Sequence, residues 1–191
     1  MVEIFEEMVS VRRVYCADTE FFRMVDFWED LCDEGGLYKI KMYRSNETQD
    51  FKRRAGVVAF RDRVVLTVDE ELMARAKKGC KLCNYILAHE VGHLALDHHA
   101  GRIALKNFQL LSGPSGMSNR PRNMEEVEAN YGGIFLQCGV ALLDDRWGSI
   151  QLADRACCEI DYVKRAQGLV RLEVFQRELH RFKPRHPRVV F

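Results

Sequence analysis

The residues best suited to chemistry lie in one short run, His89-Glu90-Val91-Gly92-His93. On a helix, positions four apart are turned by ~40° and separated by ~6 Å along the axis, so His89 and His93 point into one space. Two imidazoles set this way form a clamp for a divalent ion, and Glu90, beside the first, is placed to take a proton from water held there. An HExxH run also arises by chance on surface helices, and His98 and His99 show that histidine is common in this region. Context argues against chance. Ile86, Leu87, Val91, Leu94 and Leu96 surround the motif, so the helix is expected to be buried, and a buried imidazole needs a partner.

Zinc in a hydrolase typically takes three protein ligands and leaves the fourth position to water. The later run Met124 to Gln137, MEEVEANYGGIFLQ, offers Glu125, Glu126 and Glu128 at the start of an expected helix. Helical geometry does not separate them, because Glu126 shares a face with Ala129 and Asn130 while Glu125 and Glu128 share a neighbouring one. Asn130 reads as a turn cap before it reads as a hydrogen bonder to a ligand. Tyr131 reads as packing before it reads as an oxyanion donor. Cys80-Lys81-Leu82-Cys83 is a single CxxC without a matching pair, so Cys83 is assigned to the core and Cys80 to a loop. Cys157-Cys158 lacks ligand spacing, and a cysteine nucleophile ranks below the complete HExxH set. His98, His99, His180 and His186 are expected to be solvated or locally bonded. Phe21, Phe22, Phe27 and Trp28 are read as core.

The elements that must position these groups fit one domain of 191 residues. A composition of 47% apolar and 30% charged residues is that of an ordinary globular chain, and a net charge of +1 leaves no global footprint for nucleic acid. The acidic start MVEIFEEMVS does not read as an export signal, and no apolar stretch approaches the ~20 residues needed to span a bilayer. Seven cysteines, an odd number, suit reduced thiols, so a cytoplasmic location is expected.

Thr19 is expected to cap a helix running to about Glu34, with Phe22, Val25, Phe27 or Trp28, and Leu31 inward and Gly35-Gly36 ending it. Tyr38, Ile40 and Met42 alternate as in a half-buried strand, followed by a polar loop over 44–54. Ala55 to Phe60 and Val64 to Val68 read as a hairpin. Asp69 should cap a short helix, Glu70 to Lys77, closed by Gly79. After the HExxH helix come an expected helix, Arg102 to Leu111, and a glycine-, proline- and serine-rich loop, Ser112 to Pro121. Glu125 to Leu143 should be helical. Gly132-Gly133 weaken that helix unless something packs closely against them, and the HExxH helix is the named candidate. Two short helices follow, carrying Ile150, Leu152, Ala153 and Ala156 and then Ile160, Val163 and Ala166, ending at Gly168. A basic tail, HRFKPRHPRVVF, ends the chain.

With these residues in view, the chain resembles the ImmA/IrrE family of metallopeptidases. The likeness runs from about Val57 to Leu169 and rests on KLCNYILAHEVGHLAL together with EVEANYGGIFLQ, a glutamate followed after two residues by alanine and asparagine. It implies an α+β fold: a mostly helical single domain whose small, about three-stranded sheet packs on the HExxH helix in a gluzincin-like arrangement. It also implies a zinc-dependent endopeptidase, with manganese as the alternative ion, acting on a protein such as a helix-turn-helix repressor or an antitoxin partner. His89 and His93 match the metal-binding histidines, Glu90 the catalytic base, and Glu126 the third ligand, with Glu128 and then Glu125 as runners-up.

The departures are Gly132, Gly133 and Gln137-Cys138 where the family has phenylalanine, alanine and methionine-proline, and Asp97 where it has histidine. The glycines are expected to loosen packing behind the third ligand. Residues 1–54 are read as an N-terminal helix and first strand, 55–143 as the catalytic core, and 144–191 as a helix-turn-helix-like end-piece with the tail. Glu159 and Asp161 in that end-piece argue against direct nucleic-acid binding. The alternative reading is a catalytically weak or inactive, metal-stabilised regulatory protein that binds a repressor, toxin partner or DNA.

Overall fold

A computed structural model describes residues 1–33, 36–44, 55–60, 62–98 and 124–181. The first element, α1 (Val2–Tyr15), has no counterpart in the expectations above, although Phe5, Met8 and Val9 carry helical spacing and are buried. The next helix, α2 (Met24–Asp33), begins five residues later than the expected cap at Thr19. Thr19 sits in a turn closed by Glu20 N–H donating to the Ala17 carbonyl. The following residues are held beneath α1: Arg12 donates to the Glu20 carbonyl and lies over the rings of Phe21 and Phe22. Val25, Phe27, Trp28 and Leu31 are all buried, so both aromatic residues of the expected pair face inward.

Three strands, β1 (Tyr38–Tyr43), β2 (Ala55–Ala59) and β3 (Val64–Asp69), form a mixed sheet in the order β1-β3-β2. The hairpin is antiparallel, with Val57 opposite Leu66, and β1 joins β3 in parallel, with Tyr38 opposite Val64. The alternation expected of β1 holds only in part: Tyr38 is buried and Ile40 half-buried, but Met42 is exposed at the end of this edge strand. Asp69 ends β3 and caps α3 (Glu70–Lys77), its carboxylate accepting from the N–H groups of Glu71 and Leu72 at 3.0 and 3.1 Å. Gly79, at φ +83°, closes α3 as expected.

The HExxH run lies on α4 (Lys81–Ala95), which packs against α2, α3, β2 and the later helix α5 (Met124–Cys138). Asn84, fully buried, ties three of these together: its amide donates to the Ala76 and Cys80 carbonyls, and its oxygen accepts from Val25 N–H. Trp28 Nε1 donates to the Leu87 carbonyl at 3.1 Å. Regular α-helix ends at Cys138 rather than continuing to Leu143, because Gly139 takes φ +56° and opens a five-residue 3-10 helix, Gly139–Leu143. Arg12 fills the space where a Gly139 side chain would start, and it donates to the Leu136 and Gln137 carbonyls at 2.9 and 3.0 Å. A buried cation thus satisfies the negative end of α5.

The two short helices of the end-piece are α6 (Ser149–Arg155) and α7 (Ile160–Val170); Gly168 lies inside α7, and Ile150 is exposed. Gln137 links them to α5 by donating to the Ala156 and Cys157 carbonyls. An unforeseen helix, α8 (Glu173–Arg181), buries Phe175 edge-on against Phe5. Among the described residues the architecture is mostly helical with one small mixed sheet. The expected helix over 102–111, the loops over 45–54 and 112–121, His99, and residues 182–191 of the tail lie outside the described residues. Among the described residues no helix is long and apolar enough to cross a membrane.

Candidate metal centre

The site exists because α4 and α5 touch backbone to backbone. A Cβ on Gly92 would lie 2.8 Å from the Ala129 carbonyl oxygen, and one on Gly133 would lie 2.9 Å from His89 N. Neither helix carries a side chain at its point of closest approach. The expectation that the Gly132-Gly133 pair loosens packing behind the third ligand is therefore corrected: Gly133 tightens it, for the reason suspected of the HExxH helix. Gly132 is different, since a Cβ there would meet its neighbours only at 3.5 Å and beyond.

This approach brings the first turn of α5 over the paired imidazoles. His89 Nε2 and His93 Nε2 lie 3.0 Å apart, Glu126 Oε2 is 3.4 Å from His89 Nε2, and Glu126 Oε1 is 3.5 Å from His93 Nε2. Ligand atoms held about 2.05 Å from one ion at tetrahedral angles sit about 3.4 Å from one another. The three side chains thus have the mutual spacing of a coordination shell, and they can hold a metal ion. His89 and His93 are almost completely buried, and Glu126 Oε2, also buried, has no hydrogen-bond donor among the described residues. A buried carboxylate and two imidazole nitrogens converging on one point present lone pairs that a cation would satisfy. Two imidazoles and a carboxylate suit zinc and its first-row neighbours and are a poor set for calcium or magnesium.

No family model, curated protein or solved structure matches this chain.

Glu90 points from α4 toward the sheet, where Val57 N–H of β2 donates to its carboxyl group. Burial, then the charge of Glu126, pushes its pKa up to about 8, and the Val57 bond works the other way. A cation at the triad would also pull it down. One carboxyl oxygen of Glu90 is buried without a hydrogen-bond partner among the described residues.

The remaining candidates separate clearly. Of the three glutamates, Glu126 joins the histidines and Glu128 does not; Glu128 instead reaches His98, with Oε2 3.1 Å from His98 Nε2. Glu125 is not part of the triad. Asn130 accepts from the Tyr85 hydroxyl at 2.6 Å, and its own amide nitrogen is buried without an acceptor among the described residues. It is therefore a buried hydrogen bonder one turn beyond Glu126, not the turn cap expected. Tyr131 stacks at a tilt on Phe135. Cys83 is core and Cys80 stands at the start of α4.

His98, expected to be solvated or locally bonded, is bonded: its Nδ1 is 2.9 Å from His93 Nδ1, a link to the triad that the expectation did not include. A signal was present: His98 follows directly after the helix that carries His93. What it does depends on the backbone path after Ala95, which residue types alone left open.

Proposed function

We propose that the chain is a metal-dependent endopeptidase of the gluzincin-like kind, related to the ImmA/IrrE family, with His89, His93 and Glu126 holding zinc. The observation that carries this reading is the spacing of the three ligand atoms beside a buried carboxyl group that can exchange a proton near neutral pH. When bound, a divalent ion would supply Lewis acidity, polarising a carbonyl and making solvent acidic enough to yield its proton near neutral pH.

The protein's own residues do the rest. His89 and His93 fix two directions of the shell from one rigid helix, and Glu126 completes it from another. Glu90 takes the proton of the attacking water and returns it to the departing amine. Val57 N–H keeps the Glu90 carboxyl oriented from the sheet side. The substrate class that fits the resemblance is a protein, with a helix-turn-helix repressor or an antitoxin as first candidates, in the cytoplasm.

A second reading has its own support. His89, Glu90 and His93 are each no more than 2% exposed, as befits an ion that ties α4 to α5 in a regulatory or binding protein without hydrolysis. Zinc-loaded protein mixed with candidate repressors distinguishes the two. The peptidase reading expects fragments from the wild type and none from Glu90→Gln, which should still hold zinc. Fragments from Glu90→Gln would exclude Glu90 as the base; stable association without fragments favours the binding protein.

A further inference from the structure

His93 faces two ways. Its Nε2 looks into the triad, while its Nδ1 meets His98 Nδ1 at 2.9 Å, and His98 Nε2 in turn meets Glu128 Oε2 at 3.1 Å. We propose that Glu128 and His98 are positioning residues that lock His93 into the one tautomer able to bind a metal. The proposal rests on the metal reading above for its purpose, but its geometry is independent of which ion is bound.

The backbone delivers His98 by a specific turn. After α4 the chain passes Leu96 and takes Asp97 at φ +56°; Asp97 N–H then donates to the Leu94 carbonyl and His98 N–H to the His93 carbonyl. This paired bonding is a Schellman ending, which folds the chain back over the last helical turn. It returns the His98 side chain to His93, five residues earlier, with only about 6% of the side chain exposed. Glu128 arrives separately, from the turn of α5 that follows Glu126.

The donor inventory then has one consistent solution for a metal-binding His93. A carboxylate oxygen accepts, so His98 must carry its proton on Nε2 and leave Nδ1 as a lone pair. That lone pair can only accept, so His93 must carry its proton on Nδ1. Its Nε2 is left as a lone pair directed toward His89 and Glu126. Reversing the chain of bonds would put the His93 proton on Nε2, in the place of the ion. A neutral ligand imidazole is commonly fixed in this way by a partner on its other nitrogen. Here the partner is a second histidine, itself set by a carboxylate from the helix that supplies the third ligand. Glu126 and Glu128 thus serve the same imidazole from opposite sides.

The test uses the full chain and zinc alone. Proton-nitrogen correlation spectra of the metal-free protein should show His93 protonated on Nδ1 and His98 on Nε2. His98→Leu, which keeps the bulk but not the hydrogen bonds, should leave His93 in mixed tautomers and weaken zinc binding about 10–100-fold in competition with a chelator. His98→Gln, which can still accept from His93 and donate to Glu128, should recover part of that loss. Wild-type affinity with an unchanged His93 tautomer in His98→Leu would overturn the proposal, as would equal losses in the Leu and Gln variants without a tautomer change. If the wild type shows the Nδ1–H tautomer yet takes up no zinc, the metal reading fails and the lock on His93 stands.

Discussion

Gly133 of α5 lies against the backbone of His89: a Cβ at Gly133 would come within 2.9 Å of His89 N and 3.1 Å of Ala88 C. The metal triad spans these two helices, so their separation sets the distance from Glu126 to both imidazoles. Gly133→Ala should therefore cost about 1–3 kcal/mol of stability and weaken zinc binding as well. Gly132→Ala, one residue away, has ordinary contacts and replaces a helix-interior glycine, so it should be neutral or stabilise by up to about 1 kcal/mol. Melting curves of the two variants check this; similar behaviour of the pair would contradict the close-packing account.

Binding confined to the folded state raises stability by about 2.7 kcal/mol at a free concentration 100 times Kd. For a chain of this size that corresponds to roughly 5–10 °C in melting temperature. Zinc should produce such a rise in the wild type. His93→Ala and Glu126→Gln should abolish most of it, while Glu125→Gln should keep it. A full shift in Glu126→Gln would remove Glu126 from the shell.

Glu90 gives the metal-free protein a pH dependence whose sign follows from its surroundings. Its carboxyl group titrates at about 8 when folded against an ordinary value of 4.5. Between these values the folded state holds a proton that the unfolded state has released. Stability is therefore greatest below 4.5 with respect to this group, and it is lost as pH rises toward 8, by up to about 1.4 kcal/mol per pH unit. Glu90→Gln should flatten that slope in chelator-treated protein. An unchanged slope in denaturant titrations across this range would assign it to other groups.

Arg12 is buried with its guanidinium on three carbonyls, those of Leu136, Gln137 and Glu20. Arg12→Met keeps the apolar length and leaves those acceptors without their donor. The expected loss is about 3 kcal/mol or more in urea unfolding, since each unsatisfied buried group costs about 1–3 kcal/mol. A loss below about 1 kcal/mol would show that the end of α5 does not depend on this cation.

Much of the site was legible in residue order. The i, i+4 spacing of His89 and His93 needs only a helix, and Asp69 at the head of Glu70-Glu71-Leu72 needs only its own carboxylate and the next two amides. The hairpin over 55–69 and the two short helices after 148 are likewise local patterns of alternation and period. The helical spacing of Phe5, Met8 and Val9 in α1 is equally local. The start of α2 differs from the expected cap because Arg12, across the fold, holds residues 20–22 against α1, an influence that Thr19 cannot reveal.

Sequence by itself determined that two imidazoles and a neighbouring carboxylate share one helix turn, because the i, i+4 spacing of His89 and His93 needs only a helix. Only the tertiary structure decided which glutamate completes the set. Glu125, Glu126 and Glu128 lie within one turn of a single helix and differ solely in direction, and direction acquires meaning only once Gly92 and Gly133 fix how that helix crosses α4. The same crossing sends Glu128 to His98, and the left-handed residue Asp97 brings His98 back to His93. Local spacing encodes what one helix can present; relative placement of two helices is a property of packing, which no single stretch contains.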